Sequence, residues 1–247
     1  MAFKVATPIK AARQKLYEVV LENLTEQIIS QELSPGDVLP SEAELAEAYG
    51  VSKTTVHDAL RHLSVFGVVN MRQGRQTTVG TPRAEVLSQF FRFVSGNVKR
   101  NVIDIVDIRR ILESGCAGLA AQNISDEQCE ELSEIIDTLF ESRYDKEAWI
   151  KQDAAFHHLI AKASGNQMMP YLMTSLQGVI EDTIRVLHDQ RNVRDPDQTF
   201  KRHKMVADAI ISRDSEAAIA AMEVHFRATA ATIERIQSDL DDTPTKA

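Results

Sequence analysis

The feature that most constrains the fold of this chain is a series of helical patterns, separated only by short breaks, that begins near residue 84. Apolar residues recur at helical spacing in one segment after another, and no strand pattern interrupts them. The breaks fall at turn or capping residues such as Gly165-Asn166 and Asp195-Pro196. Seven helices are predicted, over residues 84–95, 102–122, 126–143, 146–164, 168–190, 196–212 and 215–238. This part of the chain is expected to form an all-α antiparallel bundle, which makes the protein mainly α.

The first eighty residues carry a different pattern, in which two short helices meet at a tight turn. One amphipathic helix is predicted over 13–30. Ser41, with Glu44 three residues later, matches a capping box and starts a second helix. Ser52 can cap a third helix, and a hairpin with a basic glycine turn follows over 68–79. This order predicts a winged helix-turn-helix.

Charge is divided unevenly along the chain, whose net charge is −8. Residues 1–83 hold nine Lys and Arg against nine Asp and Glu, whereas residues 84–247 hold nineteen against twenty-seven. Within the first part, residues 51–83 contain five basic side chains and one acid. A basic face that could bind nucleic acid is therefore compatible with an acidic body. Charge alone favours the alternative of an ordinary solvated surface with a few lysines and arginines.

The sequence predicts a cytoplasmic protein with no membrane partner. No apolar run approaches the roughly 18 residues of a membrane span, and the amino terminus has no apolar signal region. Cys116 and Cys129 do not form a CxxC motif and are expected to be free thiols.

The residues of the predicted DNA-binding part resemble a known family. The segment LPSEAELAEAYGVSKTTVHDALRHLSVFGVV, residues 39–69, is similar to the amino-terminal winged helix-turn-helix of the GntR transcriptional regulators. The similarity extends over about residues 13–80 and rests on the order and spacing of many elements. It implies a repressor or activator that binds a double-stranded DNA operator under the control of a small molecule.

The geometry of a winged helix predicts which residues contact DNA. The start of the third helix faces the major groove, the wing tip enters the adjacent minor groove, and a helix amino terminus meets a phosphate. The predicted contacts are Ser52, Lys53, Thr54, Thr55, His57 and Arg61 in the major groove, Gln73, Gly74 and Arg75 in the minor groove, and Ser41 at a phosphate. For each single residue, an ordinary exposed polar side chain remains the alternative.

Four positions depart from the pattern of many family members. This chain has Ala43, Lys53 and His57 where arginine is common, and Gln76 where glycine is common. Lysine and histidine do not reproduce the bidentate contact of arginine with guanine. The preferred operator is therefore predicted to differ from arginine-contacted sites or to be bound more weakly.

Polar residues interrupt three apolar helix faces in the second part. Asp153 and His157 lie one turn apart on one helix. His203 and His225 each lie eleven residues from Asp214, where two helices join, so an antiparallel hairpin places them side by side. Three imidazoles and a carboxylate in an apolar interior suit a divalent transition metal, zinc first and nickel or manganese as alternatives. From spacing alone, a structural buried cluster remains open.

These segments also resemble a known domain. DAAFHHLIAKASGN at 153–166 and HKMVADAIISRDSEAAIAAMEVH at 203–225 are similar to the effector domain called FCD in the FadR-like branch of GntR proteins. In that domain a metal is bound by the positions that match Asp153, His157, His203 and His225.

Arg109 is a candidate for binding the effector. It shares an apolar helix face with Glu113 in a run, DIRRILE, that also resembles the family. Its guanidinium would grip the carboxylate of a small organic acid or sugar acid, or it would only form an i,i+4 pair with Glu113.

Together these inferences predict a metal-dependent, ligand-responsive regulator that is not an enzyme and acts as a homodimer. The predicted domains are a DNA-binding domain at 1–80, an effector-binding and dimerisation domain at 81–240 and a disordered tail at 241–247. Two alternatives remain at this point. One is a metallohydrolase, which the lack of HExxH and of a nucleophile–base pair disfavours. The other is a constitutive DNA-binding protein with a structural metal.

Overall fold

The computed structural model describes residues 11–30, 32–99, 101–189 and 195–241 of the chain. They divide into two compact units, with the boundary between Val86 and Leu87. Each unit has an apolar core of its own.

The first unit is a winged helix-turn-helix, as the sequence predicts. Its elements are α1 (Ala11–Ile29), α2 (Glu42–Tyr49), α3 (Lys53–Val65), β1 (Val69–Asn70) and β2 (Thr78–Val79). The capping box is formed at Ser41, whose hydroxyl accepts from the Glu44 amide while the Glu44 carboxylate accepts from the Ser41 amide. Gly50 ends α2 at a φ of 64°, a left-handed conformation that permits the tight turn into α3.

The wing is a small antiparallel ribbon. Val69 lies opposite Val79, and Asn70 lies opposite Thr78. Val38, before α2, adds an antiparallel bridge to Thr78. The valines at 69 and 79 are buried, so the ribbon is held on the core of the first unit while its turn extends away.

The remaining described elements are all helices, which confirms the all-α second part. They are α4 (Glu85–Ser95), α5 (Val102–Asn123), α6 (Asp126–Ser142), α7 (Lys146–Ala163), α8 (Met169–Asp189), α9 (Pro196–Ile211), α10 (Ser215–Arg227) and α11 (Ala230–Asp241). Within the described residues, no helix is both long and apolar enough to cross a membrane.

The last helix predicted from the sequence is two separate helices in the structure. The helix predicted over 215–238 breaks after Arg227, and α11 begins at Ala230. At the break, both the amide and the hydroxyl of Thr229 donate to the carbonyl of Phe226, so a side chain competes with the helical backbone pattern. The predicted tail falls almost wholly on residues 242–247, which lie outside the described residues.

Helix α5 lies at the centre of the second unit and packs against α7, α8, α9 and α10. Gly118 allows α10 to approach closely, because a Cβ atom there would lie only 2.7 Å from Ile219 Cδ1. The three helices that carry the predicted metal ligands each begin at an aspartate cap, formed by Asp145, Asp195 and Asp214. This packing brings α5, α7, α9 and α10 together around one buried polar cluster.

Candidate functional site

The structure places the four predicted metal ligands in one buried cluster, in which the three histidines meet the spacing of a metal site and Asp153 contacts two of them. Asp153 and His157 lie on α7, His203 on α9 and His225 on α10, and none of the four is more than 9% exposed. One ring nitrogen from each histidine lies within 4.8 Å of the other two. The rings of His203 and His225 have centroids 4.4 Å apart, on the two sides of the α9–α10 hairpin.

Asp153 contacts two of these imidazoles. Its Oδ1 lies 2.9 Å from His203 Nε2, and its Oδ2 lies 3.7 Å from His157 Nε2. A carboxylate oxygen of Asp153 and a ring nitrogen of His203 are therefore close enough that both could be ligands of one ion.

The other ring nitrogens of two histidines meet acceptors. His157 Nδ1 contacts Glu113 Oε2, and His203 Nδ1 lies 2.9 Å from the Thr199 carbonyl. A carboxylate or carbonyl in this position is the usual outer partner of a metal-binding histidine, because it fixes the tautomer that presents Nε2 to the ion. Glu113 in this role was missed in the sequence, where it was considered only as a partner of Arg109.

Arg109 is buried and makes both of its ionic contacts inside the cluster. Its Nε lies 2.8 Å from Glu113 Oε1, its Nη2 lies 3.9 Å from Asp153 Oδ2, and the guanidinium lies over the Phe226 ring. The predicted i,i+4 pair with Glu113 is therefore present. Arg109 also lines the cavity beside the cluster, so the pair and an effector contact are compatible.

Burial and charge oppose each other in this cluster. Burial alone raises the pKa of Asp153, but His157 and His203 outweigh it and hold that pKa well below its ordinary value. Burial likewise raises the pKa of Glu113, and Arg109 and His157 outweigh it and lower the pKa. Both carboxyl groups are therefore ionised and accept hydrogen bonds without donating any.

Each ring nitrogen of His203 faces a hydrogen-bond acceptor. Burial lowers the pKa of His203, which favours a neutral ring with a single N–H. The Thr199 carbonyl faces Nδ1 and the Asp153 carboxylate faces Nε2, and neither group can donate. Whichever nitrogen carries the proton, the other one faces an acceptor. A cation bound between Nε2 and the carboxylate would remove this conflict.

Several buried polar atoms of the cluster make no hydrogen bond to the described residues. They include Asp153 Oδ2, His157 Nε2, His225 Nδ1 and Arg109 Nη2. Burial lowers the pKa of His225 well below its ordinary value, with His203 and His157 adding to the shift, so its ring is neutral and has a free lone pair to offer. Unsatisfied buried groups are costly unless a ligand completes them. The donor set fits a divalent transition metal.

A cavity of about 250 Å³ lies next to the cluster. Asp153, His225 and Arg109 line it on the side of the cluster, and Arg202 lines it from α9. Arg202 is a second cation that sequence analysis missed. It directly precedes His203, so it lies about 100° around the helix from the face on which the histidine was recognised.

The structure exposes most of the predicted major-groove residues on one side of α3. Lys53, Thr54, His57 and Arg61 are exposed, and Ser52 is exposed with its hydroxyl accepting from the Thr55 amide. His57 is also tied to α2, because its Nδ1 lies 2.8 Å from Glu42 Oε1.

The structure contradicts the predicted DNA contact of Thr55. This residue is only 4% exposed and belongs to the buried side of α3. Its hydroxyl pairs with the Ser52 hydroxyl at 2.8 Å, and it lies one position before Val56 in the core. A side chain so enclosed cannot reach a base edge.

The remaining predicted DNA contacts are exposed. Gln73, Gly74 and Arg75 form the turn of the wing, where the Arg75 amide donates to the Arg72 carbonyl at 3.1 Å. Ser41 is exposed at the start of α2, but its amide and hydroxyl are both engaged by Glu44. A phosphate at this helix end would have to displace that carboxylate.

A winged helix-turn-helix joined in one chain to a helical unit with a buried polar cluster and a cavity defines a two-part, DNA-binding regulator. Residues 16–79 match the bacterial regulatory proteins of the gntR family, and residues 104–228, just over half of the chain, match the FCD domain. The chain belongs to the GntR family of transcriptional regulators that carry an FCD domain. The family consists of DNA-binding regulators, not enzymes.

Relatives and solved structures agree with this assignment. The chain is 28% identical over 224 residues to the HTH-type transcriptional repressor NanR of Cronobacter sakazakii, covering 90% of this chain and 86% of that protein. It is 29% identical over 236 residues to NanR of Salmonella newport, with 90% and 86% covered. The GntR structure from Streptococcus agalactiae has a TM-score of 0.71 at 24% identity, covering 86% of this chain and 98% of that chain, which shows a shared fold.

Proposed function

We propose that this regulator is a repressor that binds a double-stranded DNA operator as a homodimer and releases it when a small organic acid or sugar acid binds beside a divalent metal ion. Residues 1–80 would form the DNA-binding domain and residues 81–240 the effector-binding and dimerisation domain. Repression is proposed because the NanR relatives are named as repressors. We propose release as the direction of the response; an effector alters DNA binding by shifting the population towards the conformation that it prefers.

The main support for the metal site is that several buried polar atoms of the cluster make no hydrogen bond to the described residues. Asp153, His157, His203 and His225 would hold the ion, and Glu113 would orient His157 from behind. The bound ion would supply positive charge and open positions for a carboxylate oxygen. Zinc fits this donor set, and nickel and manganese are the alternatives.

The effector site is supported by the cavity beside the cluster. Arg109 lines it, with Nη2 making no hydrogen bond to the described residues, so the two N–H donors of Nη2 are available to an acid. The Nε of Arg109 donates to Glu113 Oε1 at 2.8 Å, which fixes the position of the guanidinium before a ligand arrives. A carboxylate that bridges the ion and Arg109 would use both positive centres.

The DNA contact is supported by the exposed basic and polar face of α3 and by the wing turn. Lys53, Thr54, His57 and Arg61 share that face, and Arg75 lies at the wing. The Glu42–His57 contact adds an acid to this surface.

Dimerisation is supported by apolar side chains that the second unit leaves uncovered. Phe90, Phe93 and Val94 on α4 are 59%, 84% and 65% exposed, and Ile111 on α5 is 65% exposed. Phe90, Phe93 and Val94 follow the i, i+3, i+4 spacing of one face of α4, and exposed apolar faces mark interaction surfaces. A two-fold dimer would present two winged helices to a pseudo-palindromic operator.

The proposal is tested by a mobility-shift titration with an operator selected from a random DNA library. Zinc-loaded protein is expected to release the DNA when the correct organic or sugar acid is added, and chelator-treated protein is expected to respond less. A panel of acids that never alters DNA binding by the zinc-loaded protein would refute the regulated part. If no acid raises the melting temperature either, the protein is a constitutive DNA-binding protein with a structural metal.

A further inference from the structure

A second arginine lines the cavity, and most of its N–H groups make no hydrogen bond to the described residues. Arg202 is partly buried on α9, and its Nη2 donates to the Thr199 hydroxyl at 3.1 Å. Its Nε is fully buried and makes no hydrogen bond to the described residues. A guanidinium has five N–H donors, so most of this group remains available to a ligand.

The two arginines of the cavity differ in how their charge is compensated. Arg109 has Glu113 at 2.8 Å and Asp153 at 3.9 Å. Among the described residues, Arg202 has no carboxylate within ion-pair distance, although Asp195 lies near enough to favour its charged form. Burial lowers the pKa of Arg202, but a guanidinium remains protonated at neutral pH. Arg202 is therefore a positive charge at the cavity wall that forms no ion pair with any carboxylate of the described residues.

Neighbouring residues hold Arg202 in place. The Thr199 hydroxyl that accepts from Arg202 itself donates to the Asp195 carbonyl at 2.9 Å. Gln198, Thr229 and Thr232 add further polar groups to the lining. The arginine is thus directed by the helix that carries it, in the way that fixed binding groups are.

The volume of the cavity limits the ligand. An apolar cavity of about 150 Å³ holds one benzene molecule, so by proportion this one holds about ten non-hydrogen atoms. This is the size of a dicarboxylic acid with four to six carbons.

We propose that Arg202 makes this cavity selective for a compact acid with two anionic groups, one bound at the metal and Arg109 and the other at Arg202. This inference rests on the proposed function, because it assumes that the cavity takes an acid beside the ion. Arg202 then determines specificity, since a charge-assisted hydrogen bond to a second carboxylate is made only by the dianion.

The test is isothermal titration calorimetry of the zinc-loaded full chain with succinate, glutarate and adipate and with the half-amide of each. The half-amide has nearly the same shape as its diacid but one charge fewer. At least one diacid is expected to bind about tenfold or more tightly than its half-amide. In Arg202→Gln the two are expected to bind equally, and Arg202→Lys is expected to keep part of the preference. Lys201→Gln, an exposed neighbour on α9, is the charge-matched control and should behave as wild type.

The outcomes separate this inference from the proposed function. If diacids and half-amides bind wild type equally, the inference is wrong and acid binding at the metal stands. A diacid preference that survives in Arg202→Gln also overturns it. If none of these acids binds while other monoacids raise the melting temperature of the zinc-loaded protein, only the inference fails. If no acid of any kind binds, the effector part of the proposed function fails as well.

Discussion

The cores of the two units are built on opposite principles. The core of the first unit is apolar, and its buried polar residue Thr55 is satisfied by Ser52, so the residues that would meet DNA lie outside it. The second unit buries a cluster of charged and polar side chains, several of them without hydrogen bonds to the described residues. The cluster comprises Arg109, Glu113, Asp153, His157, His203 and His225. The first unit thus separates its core from the residues proposed to contact DNA, whereas in the second unit the proposed metal and effector ligands are themselves part of the buried interior.

The largest expected effect breaks the buried cluster. His157→Ala removes a proposed ligand and is expected to weaken zinc binding by more than the roughly 10–100-fold that loss of an outer partner causes. His158→Ala is the matched control, because His158 is the exposed neighbour on the same helix. Chelator competition measures the affinities, and circular dichroism checks that both variants are folded. Equal zinc affinity in the two variants would contradict the metal site.

Glu113→Gln is expected to affect stability and metal binding together. The change leaves Arg109 without its nearest carboxylate and His157 without an ionised outer partner. We expect a loss of about 3 kcal/mol in the free energy of unfolding and a roughly tenfold or greater loss of zinc affinity. Glu134→Gln, on an exposed position of α6, is the control. Denaturant unfolding of the zinc-loaded chain and chelator competition provide the readouts, and a variant as stable as wild type would show that the pair is unimportant.

In the first unit, recognition should change without any loss of stability. Arg75→Ala at the wing is expected to weaken operator binding by about 1–3 kcal/mol. Lys53→Ala is expected to make operator affinity less dependent on salt, because about one counterion fewer is released on binding. Melting temperatures should stay at the wild-type value because both side chains are exposed. Fluorescence anisotropy at several salt concentrations measures both effects. A fall in stability that parallels the fall in affinity would remove the contrast between the units.

The smallest effect distinguishes two adjacent threonines. Thr55→Val removes a buried hydroxyl bonded to Ser52 and is expected to cost about 1 kcal/mol of stability with no change in base preference. Thr54→Ala, at the exposed neighbouring position, is expected to change base preference with no change in stability. Selection of binding sites from a random library and thermal unfolding separate the two. Altered base preference in Thr55→Val would restore its predicted DNA contact.

Much of this contrast could be predicted from the sequence, because helical periodicity and capping act locally. The capping box at Ser41 and the equal spacing of His203 and His225 from Asp214 are such signals, and the two rings do lie side by side. The prediction for Thr55 was wrong although the sequence carries a signal for its burial, because Thr55 lies four residues before Ala59 and eight before Leu63 on the inner face of α3.

What the sequence could not show depends on contacts between helices. The contact of Glu113 with His157 depends on the rotation of α5 relative to α7, which no periodicity within one helix determines. Arg202 lies on a different face of α9 from His203, and only the neighbouring helices turn that face into a cavity wall. The break before α11 comes from a single hydroxyl of Thr229 that reaches back to Phe226.

Thr199 contacts both His203 and Arg202. Its carbonyl faces His203 and its hydroxyl accepts from Arg202, so a single turn of α9 sets the positions of both. Any sliding or unwinding of that turn would displace both groups at once. The positions of the proposed metal ligand and of the proposed acid ligand are therefore coupled. A shift of α9 that changed the affinity for the ion would also change the affinity for the acid.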